Sequence, residues 1–242
     1  MKKLNNQSPP PVIPDALANI PGGQENLIPT KILESPLRVL IPDFTRGNMF
    51  PGIQGYVELN LSGIPVRETR FPFTTPIDPS TFPIMVHIPV GPITNEGTYE
   101  VDYTVNLGGN VELSESNYFT VDRTAPNDGE PGQAPKFPPE IIRQGITQDY
   151  LDTNNDEVLI TISHYKGQRL GETIPFYYGS FDADPVSTTK VKDADSDTIV
   201  RLSGNTIREK GNGNKIAYYR LKSRAGIQGP SSLSLFIKVD LS

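Results

Sequence analysis

Asp152, Asn154 and Asp156, followed by Glu157, set side-chain oxygens at alternate positions of one short segment. A calcium loop begins with this spacing, because a hard cation takes several oxygen ligands within a tight turn. The glycine that sharpens such a loop is missing, and its twelfth position is Ser163 rather than a glutamate. Asp193, Asp195 and Asp197 repeat the alternation with the same deficiency. Both segments read as solvated polar turns, and neither is assigned a metal. The two histidines, His87 and His164, fall in different halves within strand-like runs, where a partly exposed strand residue accounts for each. No Gly-x-Ser-x-Gly elbow, phosphate loop, His-Glu-x-x-His pair or dinucleotide fingerprint occurs. Two catalytic carboxylates need not be close in sequence, but nothing singles out a pair. The expectation is a chain that is not an enzyme, with no catalytic residue, metal or cofactor assigned.

Two aromatic features invite a binding reading instead. Phe176-Tyr177-Tyr178 offers rings that could stack on a sugar or a partner protein, although alternation along a strand sends part of the run into the core. Phe236 occupies the polar register of the last strand, between Ser234 and Lys238, and marks a candidate inter-domain or partner contact.

The elements that would position these residues are strands. Gly 21 and Pro 24 in 242 residues break helices throughout and suit many short strands joined by turns. Val57, Leu59 and Leu61 alternate with Glu58 and Asn60, so one face of a pleated strand is apolar. Comparable segments follow at 83–90, 98–106 and 117–122, then around Val158, Ile160 and Ile162, at 198–202 and 215–221, and at Leu233, Leu235, Ile237 and Val239. The expected fold is all-β: two tandem immunoglobulin-like antiparallel β-sandwich domains at 34–126 and 138–242. They are preceded by an extended Pro-rich N-terminal arm at 1–33 and joined by a turn-rich linker at 127–137. Pro36 and Pro139, Glu68-Thr69 and Glu172-Thr173, and Val121-Asp122 and Val239-Asp240 pair up as a diverged repeat, with an extra insertion expected around 180–197. Asn95-Glu96-Gly97-Thr98-Tyr99 has the form of a tyrosine corner, in which a phenol bonds back to nearby backbone; Lys215 stands at the matching place in the second half, so no second corner is expected.

Net charge of −6 with scattered basic residues argues against a nucleic-acid partner. Cysteine is absent, so packing rather than disulfides must hold the domains. The start Met1-Lys2-Lys3 runs into Pro9-Pro10-Pro11 where a secretory signal would be apolar, and no apolar run is long enough to span a bilayer.

The second half carries Gly145-Ile-Thr-Gln-Asp-Tyr-Leu-Asp152, Tyr165-Lys-Gly167 and Gly171-Glu-Thr-Ile-Pro-Phe-Tyr-Tyr-Gly179. Through these motifs it resembles the immunoglobulin-like repeats of large bacterial surface and adhesin-type proteins; Phe176, Tyr177 and Tyr178 stand where that family usually carries Trp. The first half is similar through Arg67-Glu68-Thr69 and the exit Val-Asp-Arg-Thr-Ala-Pro at 121–126. This implies a non-enzymatic structural or adhesive module in an extracellular or cell-surface setting. The alternatives are a module that binds a protein or glycan partner through its loops, or non-catalytic domains of a toxin or phage structural protein. Short apolar pieces in the arm, Val12-Ile13 and Leu27-Ile28, add an expectation of self-association by strand addition to a neighbouring copy.

Overall fold

The computed structural model describes residues 7–45, 50–181 and 183–242. It divides into two compact units, Met1–Arg123 and Thr124–Ser242, each with a core of its own. Among the described residues the first unit carries β1 (Leu27–Ile28), β2 (Leu37–Ile41), β3 (Gln54–Leu61), β4 (Ile64–Pro65), β5 (Phe71–Thr74), β6 (Ile84–Ile88), β7 (Gly97–Leu107), β8 (Asn110–Leu113) and β9 (Asn117–Val121). The second carries β10 (Ile146–Thr147), β11 (Glu157–Ile162), β12 (Thr173–Gly179), β13 (Ser187–Lys190), β14 (Thr198–Ser203), β15 (Gly213–Lys222), β16 (Gln228–Ser231) and β17 (Leu235–Asp240).

In the first unit a sheet ordered β1-β9-β7-β3-β4 shares a core with the pair β2-β6; in the second, β10-β17-β15-β12-β13 does the same with β11-β14. Alternation builds both sandwiches. Val158, Ile160 and Ile162 point into the core while Leu159 faces outward, and Leu37, Val39 and Ile41 do so around an outward Arg38. Each such side chain removed from water contributes about 1.5–3 kcal/mol. Both units are immunoglobulin-like β-sandwiches. Three short helices also occur in the second unit, α1 (Pro139–Gln144), α2 (Gln148–Thr153) and α3 (Gly204–Lys210). Pro139, matched from sequence with Pro36, opens α1, where its missing N–H costs nothing.

The expected free arm is corrected by the fold. Residues 1–6 lie outside the described residues, but from Ser8 onward the segment belongs to the first sandwich. Ser8 O accepts from Glu115 N at 2.8 Å, Val12 exchanges both backbone bonds with Leu40, and β1 runs parallel to β9. Ile13, Leu27, Ile28 and Leu33 are buried. The prolines do not keep this segment free, because it needs only isolated bridges and a two-residue strand rather than a long ladder.

The expected linker differs in the same way. Gly132 O accepts from Leu233 N at 2.9 Å, Lys136 exchanges backbone bonds with Thr161, and Phe137 is buried in the second core. Ser8–Ile13 and Gly132–Phe137 therefore thread their own units alike, and both show the burial pattern buried, exposed, intermediate, buried, exposed, buried. Pro11-Val-Ile-Pro14 and Pro135-Lys-Phe-Pro138 are copies 124 residues apart (136 − 12).

The repeat itself is in a different register from most of the matched sequence pairs. Tyr103 and Tyr219 are equivalent, 116 apart (219 − 103): each amide donates to a buried serine hydroxyl, Ser114 or Ser232, at 3.0 Å. Each serine in turn donates to the next carbonyl, Glu115 O or Leu233 O. Val121 and Val239 coincide as expected, since they pair with Gly97 and Gly213 at the starts of β7 and β15. Pro36 precedes β2 whereas Pro139 opens α1, and Thr69 lies after β3 whereas Thr173 begins β12, so those two pairs are not equivalents. An extra insertion at 180–197 does not follow either: 35 residues separate β3 from β7 and 33 separate β12 from β15 (62–96 against 180–212).

Candidate binding surfaces

The acidic segments are held by neighbouring side chains. Asp156 makes a two-pronged pair with Arg208, whose guanidinium keeps its carboxyl below the usual carboxylate range. Glu157 pairs with Arg201, and Asp152 accepts from Gln148 at 2.7 Å within α2. Asp193 accepts from Asp195 N and Ser196 Oγ, and these two bonds lower its pKa. Asp197 accepts from His164 N at 2.8 Å. Among the described residues no group of three or more acidic, histidine or cysteine side chains is placed to hold a metal ion. His87 is exposed on β6, and His164 is exposed just after β11 in the other unit.

The motifs that carried the family resemblance are structural. The Tyr165 hydroxyl donates to the buried Glu172 carboxylate at 2.6 Å, and Arg169 N donates to the same oxygen at 3.1 Å. Gly167 sits at φ +67°, a conformation that lets this loop turn back on itself. Burial and that hydrogen bond push the Tyr165 pKa far above its ordinary value. Tyr99 forms the expected corner: its hydroxyl donates to Asn95 O at 2.9 Å and accepts from Asn95 N at 3.0 Å, while its ring stacks on Phe119. The phenol is only half-buried.

The surface with the most binding character is the outward side of the second unit's larger sheet. Phe176 and Tyr178 are core residues, and Tyr177 alone of that run points outward. It stacks on Tyr218 with ring centres 4.7 Å apart and planes 2° from parallel, and Phe181 lies on the other side of Tyr218 at 5.4 Å. Arg220 covers Tyr177 from 5.8 Å. The next row holds Ile216 paired with Phe236, which is 66% exposed; Phe181 is 61% exposed. Ile216 and Tyr218 are buried outside the core, under this aromatic layer and the stem of Lys210 that crosses Gly179. Around the layer stand Lys190, Lys222 and Lys238, all exposed. Sequence reasoning found Tyr177 and Phe236 and missed Tyr218, Phe181 and Arg220. The signal was available: Ile216 to Leu221 is apolar or aromatic at five of six positions, too much for a strand with one wet face.

The corresponding side of the first unit's sheet is chemically opposite. β7 presents Glu100, Asp102, Thr104 and Asn106, and β3 presents Glu58 and Asn60. Arg70 donates to Glu58, while Asp102 accepts from Asn60 and Glu100 from Ser116 at 2.6 Å, so the latter two are held by neutral donors. Tyr118 (49% exposed), Val111 (63%) and Leu113 (52%) supply an apolar patch on the same side.

No protein-family model matches the sequence, and no curated protein matches it. Among solved structures, the neighbours are bacterial adhesin domains, fibronectin(III)-like modules and immunoglobulin-like domains. A Ca2+-stabilized adhesin that helps an Antarctic bacterium reach out and bind ice is 14% identical, with a TM-score of 0.43; 97% of this chain is covered, and the chain spans half of that structure. The fibronectin(III)-like modules of Clostridium thermocellum CbhA are 12% identical over 86% of each chain, with a TM-score of 0.40. A 1.5-MDa bacterial ice-binding adhesin is 13% identical over 89% of this chain and 61% of its own, with a TM-score of 0.37.

Proposed function

We propose that this chain is a non-enzymatic structural or adhesive module that carries tension along a surface-exposed polymer. One observation carries the reading: in both units the entering strand runs parallel to the leaving strand, Leu27–Ile28 beside Thr120–Val121 and Ile146–Thr147 beside Val239–Asp240. Tension pulls an entering strand by its N-terminal end and a leaving strand by its C-terminal end. Between parallel neighbours these pulls oppose along one axis, so the pairing is loaded in shear and its hydrogen bonds must break together instead of one by one. The repeated threading of Ser8–Ile13 and Gly132–Phe137 supports a module built for concatenation. The resemblance of the Tyr165–Gly167 and Gly171–Gly179 motifs to surface-array repeats supports an extracellular setting.

Pulling single molecules of the full chain from its two ends tests this. Two discrete unfolding steps are expected, each releasing about 3.3–3.6 Å of contour per residue of one unit. Smooth extension with no steps would refute the load-bearing reading.

A further inference from the structure

The outward sheet faces of the two units carry charge of opposite sign, and each exposes an apolar patch. Among the described residues Lys190, Lys222, Lys238 and Arg220 stand on this face with Asp240, which pairs with Lys238, and the excess of bases makes the second unit's face basic in a chain whose net charge is −6. On the first unit's face Glu58 is buried and neutralised by Arg70, and the half-buried Glu100 and Asp102 make the face acidic. Each face also exposes large apolar side chains, Phe181 and Phe236 on one, Val111, Leu113 and Tyr118 on the other. An apolar centre with a charged rim of one sign, facing its complement, is the anatomy of a specific protein interface.

We propose that these faces meet between copies of this chain: the basic aromatic face of one copy's second unit docks on the acidic face of another copy's first unit. Such a contact is heterologous. Each copy keeps one unused face at either end, so association continues as an open linear array unless its rotation closes a ring. The route differs from strand addition by the N-terminal arm, whose pieces Val12-Ile13 and Leu27-Ile28 pair within their own unit. The proposal rests on the structural reading above, since joining copies serves a module that builds or bridges. A chain that stayed monomeric yet gave two force steps would end the docking proposal and leave the structural one standing.

The experiment uses three full-length chains in sedimentation across a wide concentration range: the wild type, Val111→Lys with Leu113→Lys, and Phe181→Ser with Phe236→Ser. All four substituted side chains are exposed and outside both cores, and circular dichroism verifies that each variant is folded. The wild type is expected to form progressively larger species, fewer of them as salt rises from about 0.05 to 0.5 M and the charges are screened. Each variant alone should remain monomeric. Mixed in equal amounts, they should form a dimer and stop, because one intact acidic face and one intact basic face remain. A wild type that is monomeric throughout, variants that associate like the wild type, or a mixture that does not pair would each overturn the proposal. Retention of a uronic or sulfated polysaccharide by a monomeric wild type, lost in the Phe181→Ser, Phe236→Ser chain, would assign the basic face to an acidic glycan and overturn it as well.

Discussion

Tyr165 and Glu172 close the loop between β11 and β12 through one buried hydrogen bond, 2.6 Å from phenol to carboxylate. The carboxylate is nearly fully buried and accepts a second bond from Arg169 N. Tyr165→Phe removes a donor to a buried charged acceptor, and such bonds contribute about 1.5–3 kcal/mol. Denaturant unfolding of the full chain should show the second unit destabilised by that amount and the first unit unchanged. A shift below about half a kcal/mol, the usual scatter of surface substitutions, would mean that Glu172 is satisfied without the phenol.

Ser114 and Ser232 make the same pair of bonds at the break between the last two strands of each unit. Replacing either by Ala leaves a buried backbone amide without its acceptor, at a cost of about 1–3 kcal/mol. Amide exchange locates the effect. Ser114→Ala should deprotect Tyr103 and Ser232→Ala should deprotect Tyr219, each leaving the other site alone. Loss of protection at both sites in either variant would contradict the independence of the two units.

The second unit should weaken in alkali. Burial pushes Tyr219 up to about 12, and Tyr165 and Tyr178 higher still, from an ordinary value of 10.0. Tyr178 has no hydrogen-bond partner for its hydroxyl among the described residues, so desolvation alone raises it. Folded pKa values above the unfolded one mean that the unfolded chain gives up these protons first. Their stabilising contribution is complete below about pH 10 and is lost as pH rises toward 12 and beyond. Phenolate absorbance should show these three tyrosines silent until the second unit unfolds. Titration of all ten tyrosines near pH 10 in a chain still folded by circular dichroism would refute this.

Alternation made most long strands legible, because a buried face repeats every second residue and Val158, Ile160 and Ile162 can be counted. Tyr99 was legible because Gly97 and the turn before it are local. The lead segments were not. Ser8 to Ile13 makes contacts near residues 40 and 115, about 28 and 107 positions away (40 − 12, 115 − 8), and proline density gives no hint of a partner so distant. The binding faces were half legible for the same reason. A single exposed Phe236 can be read from its register, but Phe181 reaches Tyr218 from a loop outside the strand.

The lead segment yields the sharpest test. Ile13, Ile28 and Leu33 belong to the first core and Leu27 is also fully buried; at about 1.5–3 kcal/mol each, the four contribute about 6–12 kcal/mol together. That equals the whole stability of an ordinary domain, about 5–15 kcal/mol. A chain lacking residues 1–33 should therefore lose the first unit's cooperative transition and about half its β-type circular dichroism, while the second unit melts as before. Ile28→Ala in the intact chain should cost the first unit about 2–5 kcal/mol, the range for truncating a fully buried aliphatic side chain. The mechanical role adds a second reading of the same residue. Ile28 pairs in parallel with Val121 at the seam proposed to bear load, so the first unit's force step should fall in the Ile28→Ala chain and the second should not. If the truncated chain kept both transitions, the segment would be a tether after all, and the shear geometry of the first unit would have to be discarded with it.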